Sequence, residues 1–315
     1  HIMQKTDLAF VFPGQGSQSV GMLAELASEH SQIQSTFAQA SDALGFDLWQ
    51  MVQEGSKEIL GQTVNTQPAM LTAGVAVWEV WKSQTEIRPA WMAGHSLGEY
   101  TALVCSGALP FADAVKLVAE RGRLMQEAVP EGLGAMAVVL GLDDDAVVAV
   151  CADAAQGQVC AAVNFNSPGQ VVMAGNAEAI DRACVLAKEQ GAKRAQLLPV
   201  SVPSHCALMS DAAVALRSQL DNIDMKTPEV PVIQNAGVAS FDAVDDIRLG
   251  LAKQLYSPVR WVETVQFFAA NSVQNVVECG PGKVLMGLGK RIDKSLKHAT
   301  IFDVKTLGTT LEALS

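Results

Sequence analysis

Basic side chains are the minority of the charged residues in this 315-residue sequence, with 22 Lys and Arg against 33 Asp and Glu. The formal net charge of -11 at pH 7 lacks the positive excess that a general nucleic-acid surface needs. Long apolar runs are also missing, since none approaches the roughly 20 residues that span a bilayer. The N-terminus has no charged segment followed by an apolar signal sequence. These absences predict a cytoplasmic protein without nucleic-acid or membrane partners.

Cysteine pairs of the metal-binding kind are absent too. The six cysteines are dispersed, with no Cys-x-x-Cys pair and no interleaved histidine. We therefore predict no metal ion and no other cofactor. In a cytosolic chain of this size, the cysteines are interpreted most simply as small buried apolar residues. Cys206, beside His205, is the one alternative nucleophile among them.

Apolar periodicity is what the sequence does have. Hydrophobic residues make up 49% of the chain, and its length suggests about two domains. In the first part, a strand-like run alternates with amphipathic helical segments, which predicts an α/β core with a mostly parallel sheet. The later segments that we predict for this core are helices 206–220, 244–255 and 261–270 and strands 230–233 and 276–277.

The order of predicted strands and helices changes in the middle of the chain. The predicted order there is strand, helix, strand, strand, helix, strand, which is the βαββαβ signature of a ferredoxin-like unit. Its segments are 135–140, 143–152, 159–163, 170–174, 177–190 and 193–198. We therefore predict a small domain at 131–199, inserted into an α/β core made of 3–130 and 200–315.

The most informative motif lies at 94–98 and reads Gly-His-Ser-Leu-Gly. It follows a short apolar run and opens a helix-forming segment. This layout is typical of a nucleophile elbow, in which a serine sits on a tight strand-to-helix turn and glycines allow close approach. The helix N-terminus offers free N–H groups where an oxyanion would develop. We predict that Ser96 is a catalytic nucleophile, although this spacing also occurs by chance in Gly/Ser-rich loops.

A glycine-rich loop at 13–18 follows the first predicted strand. It does not fit the dinucleotide-binding pattern, since Ser19 stands at the third glycine position and no acidic residue follows about 20 positions later. Two interpretations stay open, an ordinary tight turn or a loop that presents a backbone N–H beside the nucleophile. The segment 280–283 is not a P-loop, because valines replace its first glycine and its hydroxyl residue.

A serine nucleophile needs a base, and histidine is the usual choice. His95 adjoins Ser96 on a turn where neighbouring side chains point apart, and His30 lies on a polar helix end. His205 follows a segment that two prolines stiffen, a setting that suits a positioned base. His298 lies near the C-terminus, where many serine hydrolases keep their catalytic histidine. We favour His205 over His298.

Arg121 has only apolar neighbours at helical spacing, namely Leu117, Val118, Leu124 and Met125. Its guanidinium should therefore project from a buried helix face. Two interpretations are open. Protein carbonyls or a carboxylate could satisfy it structurally, or it could clamp a substrate carboxylate through two hydrogen bonds.

Together these motifs resemble those of malonyl-CoA:acyl carrier protein transacylases of bacterial type II fatty acid synthesis. The resemblance covers nearly the whole chain and shows no departure at a functional position of the family. The matching segments, in the order of the family, are 12–18 (FPGQGSQ), 67–69 (QPA), 94–99 (GHSLGE), 164–169 (NFNSPG), 202–205 (VPSH) and 279–283 (CGPGK). The resemblance implies a hydrolase-like core with an inserted ferredoxin-like domain, in agreement with the periodicity.

The resemblance also implies a catalytic role for five residues. Ser96 would be the acylated nucleophile and His205 its base. The main-chain carbonyl of Gln254 would orient the imidazole, so that a neutral acceptor stands where a triad has a carboxylate. The backbone N–H groups of Gln15 and Leu97 would form the oxyanion hole.

Substrate contacts follow from the same resemblance. Arg121 would pair with the free malonyl carboxylate, and Asn164, Gln67 and His95 would line the substrate site. The implied reaction moves a malonyl group from malonyl-CoA to the phosphopantetheine thiol of acyl carrier protein, on a monomeric enzyme that supplies fatty acid elongation. A serine esterase or thioesterase is the alternative, since it would share the elbow and let water attack.

Overall fold

The computed structural model describes residues 1–200 and 202–315. Within them, nine strands form two sheets. The strands are β1 (Met3–Phe12), β2 (Ile87–Gly94), β3 (Gly134–Leu140), β4 (Cys160–Ser167), β5 (Gln170–Asn176), β6 (Arg194–Leu197), β7 (Val232–Ile233), β8 (Asn275–Cys279) and β9 (Lys297–Ile301).

The helices of the described residues surround both sheets, and a short 3-10 helix (Ala207–Met209) precedes the tenth of them. They are α1 (Ala24–Glu29), α2 (Ser31–Leu44), α3 (Leu48–Glu54), α4 (Lys57–Gly61), α5 (Thr63–Gln84), α6 (Gly98–Cys105), α7 (Phe111–Ala128), α8 (Asp144–Ala155), α9 (Ala177–Glu189), α10 (Ser210–Asp221), α11 (Val244–Gln254), α12 (Trp261–Ala270), α13 (Val284–Ile292) and α14 (Val304–Leu314).

The larger sheet has the strand order β7-β2-β1-β8-β9, and every neighbouring pair is parallel. Parallel strands end at one common edge, so the loops that follow them meet there. In the register of β1 and β2, Phe12 lies opposite Gly94. This places the glycine-rich loop after β1 beside the serine turn after β2.

Both faces of the larger sheet are buried, as the continuous apolar run in β1 requires. On one face, Phe10 packs against Trp78 and Trp81 of α5, with ring centroids 5.4 Å apart in each pair. On the other face, Val11 belongs to the apolar cluster that includes Phe268 of α12. The sheet is therefore a rigid layer between helices, and it fixes the loops at its edge.

The smaller sheet is antiparallel, with the order β4-β5-β3-β6. Helices α8 and α9 cover one face through an apolar cluster. The other face packs on Cys206, directly after His205. The βαββαβ order and the fold class that we predicted, a hydrolase-like parallel core with a ferredoxin-like insert, are confirmed. The domain limits 3–130, 131–199 and 200–315 stay a prediction.

Several predicted bounds were wrong. Strand β4 runs on to Ser167, because polar residues interrupt its apolar pattern but still pair with β5 across two irregularities. The helix predicted at 206–220 begins as α10 only at Ser210, since the 3-10 helix comes first. Apolar periodicity also predicts a helix at 68–81, but α5 runs from Thr63 to Gln84 with Pro68 inside it, so proline did not mark its first residue.

Within the described residues, no helix has the length and apolarity that a membrane span requires. The same part of the chain contains no group of three or more His, Cys, Asp or Glu side chains that could hold a metal ion. All six cysteines are free thiols.

Candidate active site

Ser96 occupies a sharp turn between β2 and α6, and two glycines make that turn possible. A Cβ on Gly94 would lie 1.8 Å from the carbonyl of Gly98, and one on Gly98 would lie 2.1 Å from the carbonyl oxygen of Phe12. Only glycine fits at either crossing. Ser96 itself has a φ of 53°, in the left-handed region that non-glycine residues rarely adopt. This geometry is that of the predicted nucleophile elbow.

His205 contacts the serine directly. Its Nε2 lies 2.7 Å from Ser96 Oγ, and its Nδ1 lies 2.8 Å from the main-chain oxygen of Gln254. Since a carbonyl oxygen only accepts, Nδ1 carries the proton and Nε2 is free to accept the serine proton. Burial, together with the charge of Arg121, lowers the pKa of His205 to about 3. The imidazole is therefore neutral at pH 7.

The backbone also constrains this histidine. His205 has a φ of 64°, and its N–H donates to the carbonyl oxygen of Leu255 at 3.1 Å. Both members of the Ser96–His205 pair thus have left-handed backbones, and the end of α11 holds the histidine through two carbonyls. Such strained conformations persist only where the surroundings hold them.

The loop after β1 packs against the elbow. A Cβ on Gly14 would lie 2.4 Å from the carbonyl oxygen of His95 and 3.6 Å from the amide nitrogen of Leu97. In the described part of the chain, the N–H groups of Gln15 and Leu97 have no hydrogen-bond acceptor. Two free N–H donors beside a serine can hold an oxyanion. The side chain of Gln15 turns to Thr63, whose hydroxyl donates to its Oε1 at 3.1 Å.

Arg121 is buried on α7 with 1% of its surface exposed, as its apolar neighbours predicted. Its guanidinium donates to Oε1 of Gln67 at 2.7 Å and to Oε1 of Gln254 at 3.0 Å, and it lies over the ring of Tyr100. Burial lowers its pKa. Among the described residues, Nε has no partner and no carboxylate forms an ion pair with the group. The guanidinium is therefore held by neutral amides and can still take an anion.

Gln254 joins these groups at the end of α11. Its main-chain oxygen orients His205, and its side-chain oxygen accepts from Arg121. Its side-chain Nε2 donates to the main-chain oxygen of Ser96 at 2.9 Å. Only the first of these contacts was predicted. The side chain therefore ties the nucleophile to the buried arginine.

In the described residues, the remaining predicted substrate side chains make no hydrogen bond to the side chains of Ser96 and His205. The ring of His95 contacts that of Trp261 at a tilt, with centroids 5.4 Å apart, and its Nε2 lies 2.7 Å from Asn166 Oδ1 on β4. Asn164, also on β4, pairs with Val259, and its buried Oδ1 has no partner in the described residues. Gln67 contacts Arg121 and donates to Thr63. The substrate-binding roles of these three residues stay predictions.

Two buried polar residues of the site were not singled out by the sequence. Glu99 on α6 accepts a hydrogen bond from the N–H of Asn235, and burial raises its pKa to about 7. The side chain of Asn235 accepts from the N–H of Ser96 and donates to the carbonyl oxygen of Gly94, just before the serine. Glu99 lies within the quoted 94–99 motif, which is a weak local signal. Asn235 follows the two-residue strand β7 and has no local signal at all.

The rejected alternatives lie elsewhere. His298 is on β9, and its Nε2 lies 3.0 Å from the carbonyl oxygen of Asp293. Cys206 is buried with its Sγ 3.3 Å from the carbonyl oxygen of Pro203, and burial raises its pKa to about 11. A thiol so far from ionised at pH 7 is a poor nucleophile.

Comparisons with known proteins agree with this geometry. The acyl transferase domain family matches residues 9–308. The malonyl CoA-acyl carrier protein transacylase of Escherichia coli K12 is 54% identical over 307 residues, covering 98% of this chain and 99% of the relative. The chain belongs to this transacylase family. The family resemblance that the sequence motifs indicated is thereby confirmed.

Solved structures of the transacylase family share the fold. An acyl carrier protein S-malonyltransferase from Vibrio cholerae has a TM-score of 0.94 and 54% identity, covering 96% of this chain and 99% of its own. A malonyl-transacylase in complex with a type II PKS acyl-carrier protein has a TM-score of 0.96 and 52% identity, covering 98% and 99%. Both relatives match across the two sheets, so the insert is part of the family fold.

Proposed function

We propose that this protein transfers a malonyl group from malonyl-CoA to the phosphopantetheine thiol of acyl carrier protein, and so supplies fatty acid elongation. The observation that carries the proposal is Arg121. It is a desolvated cation without a carboxylate partner in the described residues, and Gln254 ties it to the same elbow serine. A malonyl group brings the missing carboxylate. The names of the relatives, which specify malonyl CoA and acyl carrier protein, support this assignment.

The first half-reaction acylates the enzyme. His205 Nε2 takes the proton of Ser96, and Oγ attacks the thioester carbon of malonyl-CoA. The N–H groups of Gln15 and Leu97 hold the oxyanion that forms. The carbon–sulfur bond then breaks, and His205 returns the proton to the leaving CoA sulfur. Arg121 holds the malonyl carboxylate throughout.

The second half-reaction reverses these roles. The phosphopantetheine thiol of the carrier gives its proton to His205 and attacks the malonyl-Ser96 ester. The oxyanion forms in the same hole, the ester bond breaks, and Ser96 regains the proton. Since a thioester is consumed and a thioester is made, the overall reaction is freely reversible.

A serine esterase or thioesterase is the rival, and it is not favoured. A hydrolase of simple acyl groups gains nothing from a buried guanidinium beside its serine, because an unpaired buried charge is destabilising. The transacylase relatives also match almost the whole chain. The two functions differ in the group that attacks the acyl-serine.

Intact mass spectrometry after incubation with malonyl-CoA tests the proposal. One malonyl adduct should form on the unmodified protein and none on Ser96→Ala. Adding acyl carrier protein with its phosphopantetheine should discharge the adduct to malonyl carrier, whereas buffer alone should leave it. Rapid loss as free malonate without a thiol acceptor would instead identify a hydrolase.

The proposal also covers the oligomeric state, the cellular location and the surface that binds acyl carrier protein. The Ser96, His205, Gln254 and Arg121 contacts are complete within one chain, so the proposed chemistry needs no second copy, and we propose a monomeric enzyme; six free thiols fit the reducing cytoplasm. The acidic carrier protein needs a local basic surface on an enzyme that is itself acidic. Exposed basic residues near the loop 280–283 supply one, here called the basic patch: Lys283, Lys290, Arg291, Lys294 and Lys297.

A further inference from the structure

Asn235 is completely buried, and five groups from other parts of the chain surround its polar atoms. Its main-chain N–H donates to Glu99 Oε1 at 2.7 Å, and its main-chain oxygen accepts from the N–H of Arg260. Its side-chain Nδ2 donates to the carbonyl oxygen of Gly94 at 2.7 Å. Its Oδ1 accepts from the N–H of Ser96 at 2.8 Å and from Nε2 of Gln254 at 3.2 Å.

Two of these contacts hold the backbone on the N-terminal side of the strained serine. Nδ2 of Asn235 holds the carbonyl two residues before the turn, and Oδ1 holds the N–H of Ser96 itself. Gln254 holds the carbonyl of Ser96 from the other side. A left-handed backbone at a serine costs about 1 to 3 kcal/mol and persists only when it is held. Without Asn235, the N-terminal side of the turn has lost its side-chain anchor.

We infer that Asn235 is a positioning residue for the nucleophile, and this inference rests on the proposed role of Ser96. The carboxamide keeps Ser96 in its left-handed conformation and so keeps Oγ at 2.7 Å from His205 Nε2. It also occupies the N–H of Ser96, which leaves oxyanion binding to the N–H groups of Gln15 and Leu97. The link lies between the sheet edge after β7 and the elbow after β2, whose strands pair in parallel.

The test compares acylation rates on the full-length protein with Asn235→Ala. We expect both single-turnover CoA release from malonyl-CoA and labelling by a fluorophosphonate without a carboxylate to slow by about 10- to 100-fold, since a shift of about 1 Å has that effect on an aligned nucleophile. The KM for malonyl-CoA should stay near its original value, because Arg121 keeps its bond to Gln67. Circular dichroism and thermal unfolding report the folded fraction, to which the rates are normalised.

The matched control is Gln234→Ala, in the same loop. Gln234 is a nearly buried amide that donates to the carbonyl of Asp246 and does not touch the elbow. Gln234→Ala should lower Tm and leave the acylation rates per folded molecule unchanged. Where Asn235→Ala does not fold, the near-isosteric Asn235→Leu replaces it. Its apolar side chain can neither donate to the carbonyl of Gly94 nor accept from the N–H of Ser96, so labelling should again slow severalfold.

The outcomes distinguish failure of the positioning role from failure of the proposed function. Unchanged labelling per folded molecule in the Asn235 variants overturns the inference, and so does an equal slowing in Gln234→Ala. Slow labelling in the Asn235 variants, combined with failure of the unmodified protein to transfer malonyl groups, would refute the proposed function and leave the positioning role intact. Labelling that persists in Ser96→Ala would refute both.

Discussion

The two sheets differ in what is buried against them. Between the smaller sheet and its helices, the interior consists of small and medium apolar side chains such as Val139, Val171 and Ile180. At the edge of the larger sheet, five buried polar side chains form one hydrogen-bond network that branches at Gln254, here called the polar cluster: Gln67, Glu99, Arg121, Asn235 and Gln254.

The difference shows under which conditions a fold tolerates buried polar side chains. Burying an unpaired charge or amide destabilises a fold, while each satisfied hydrogen bond contributes only about 1 kcal/mol. The polar cluster adds little stability, and its arrangement serves the reacting groups. Variants of the cluster groups that act in the proposed reaction should change chemistry more than folding, and variants in the smaller sheet should do the reverse.

The largest expected effect comes from the base. His205→Ala should reduce malonyl transfer by about 10² to 10⁴-fold, because the serine loses its proton acceptor. His298→Ala is the matched control and should stay near the original rate, since within the described residues the side chain of His298 bonds to the carbonyl of Asp293 and to no group of the site. The measurement is kcat for malonyl transfer to the carrier protein. The opposite ranking of the two variants would point to a different catalytic histidine.

Arg121→Ala should have the second-largest effect on malonyl transfer. Removing one partner of a buried ion pair costs about 3 to 5 kcal/mol, so malonyl transfer should fall by about 10² to 10³-fold. Acetyl-CoA has no carboxylate, and its transfer should be unchanged or improved. The ratio of the two kcat/KM values cancels general losses, and Arg123→Ala, exposed and paired with Glu120 and Glu127, is the control. An equal fall for both substrates would make Arg121 structural.

A core variant in the smaller sheet should show the reverse pattern. Ile180→Ala removes a fully buried side chain from the cluster between the sheet and α9, which should lower the free energy of unfolding by about 2 to 5 kcal/mol. The turnover number per folded molecule should hold. Urea unfolding and active-site titration together make the comparison. A fall in turnover at constant folded fraction would show that the two regions are coupled.

Glu99 makes the free energy of unfolding depend on pH. Its pKa rises from 4.5 to about 7 on folding, so between those values the folded chain binds a proton that the unfolded chain has released. Its contribution to stability is full below pH 4.5 and is lost as the pH rises through about 7. Glu99→Gln keeps an acceptor for Asn235 without the charge. Its gain in unfolding free energy over the unmodified protein should therefore be larger at pH 8 than at pH 5, by up to about 3 kcal/mol.

Urea titrations at both pH values measure that difference. Equal gains at pH 5 and pH 8 would mean that Glu99 is charged in the folded protein across this range.

The smallest effect is expected at the basic patch. The double change Lys290→Glu and Arg291→Glu should raise the KM for carrier protein by about 2- to 10-fold, since exposed ion pairs are individually weak. Malonyl loading from malonyl-CoA should hardly change. Because these charges are exposed, the effect should shrink at high salt. An equal loss in loading and in transfer would remove the patch from the proposal.

The sequence predicted the features that local patterns encode. Glycine spacing identified the elbow at Ser96, apolar neighbours identified the burial of Arg121, and alternation identified the smaller sheet. Strand β9 was missed because its sequence, Lys-His-Ala-Thr-Ile, begins polar at the edge of the sheet and shows no alternation. Its pairing with β8 compensates for this weak pattern.

The contacts of the polar cluster could not be predicted in this way. Asn235 is 139 positions from Ser96, and Gln254 is 133 positions from Arg121. These contacts exist because β7 pairs with β2 and because α11 ends beside the elbow. Asparagine and glutamine are common surface residues, so their composition alone gives no sign of burial.

The carbonyl that holds His205 bears on the choice of acceptor. Because Gln254 offers a neutral oxygen, the imidazolium that forms during reaction gains less stabilisation than a carboxylate would give it. A thiol, with a pKa of about 8.5, yields its proton to such a weak base far more readily than water, with a pKa of about 15.7. In the proposed mechanism, a base this weak would favour a thiol over water as the acceptor of the acyl group. A malonyl-Ser96 ester would then persist in water until a carrier thiol reaches it.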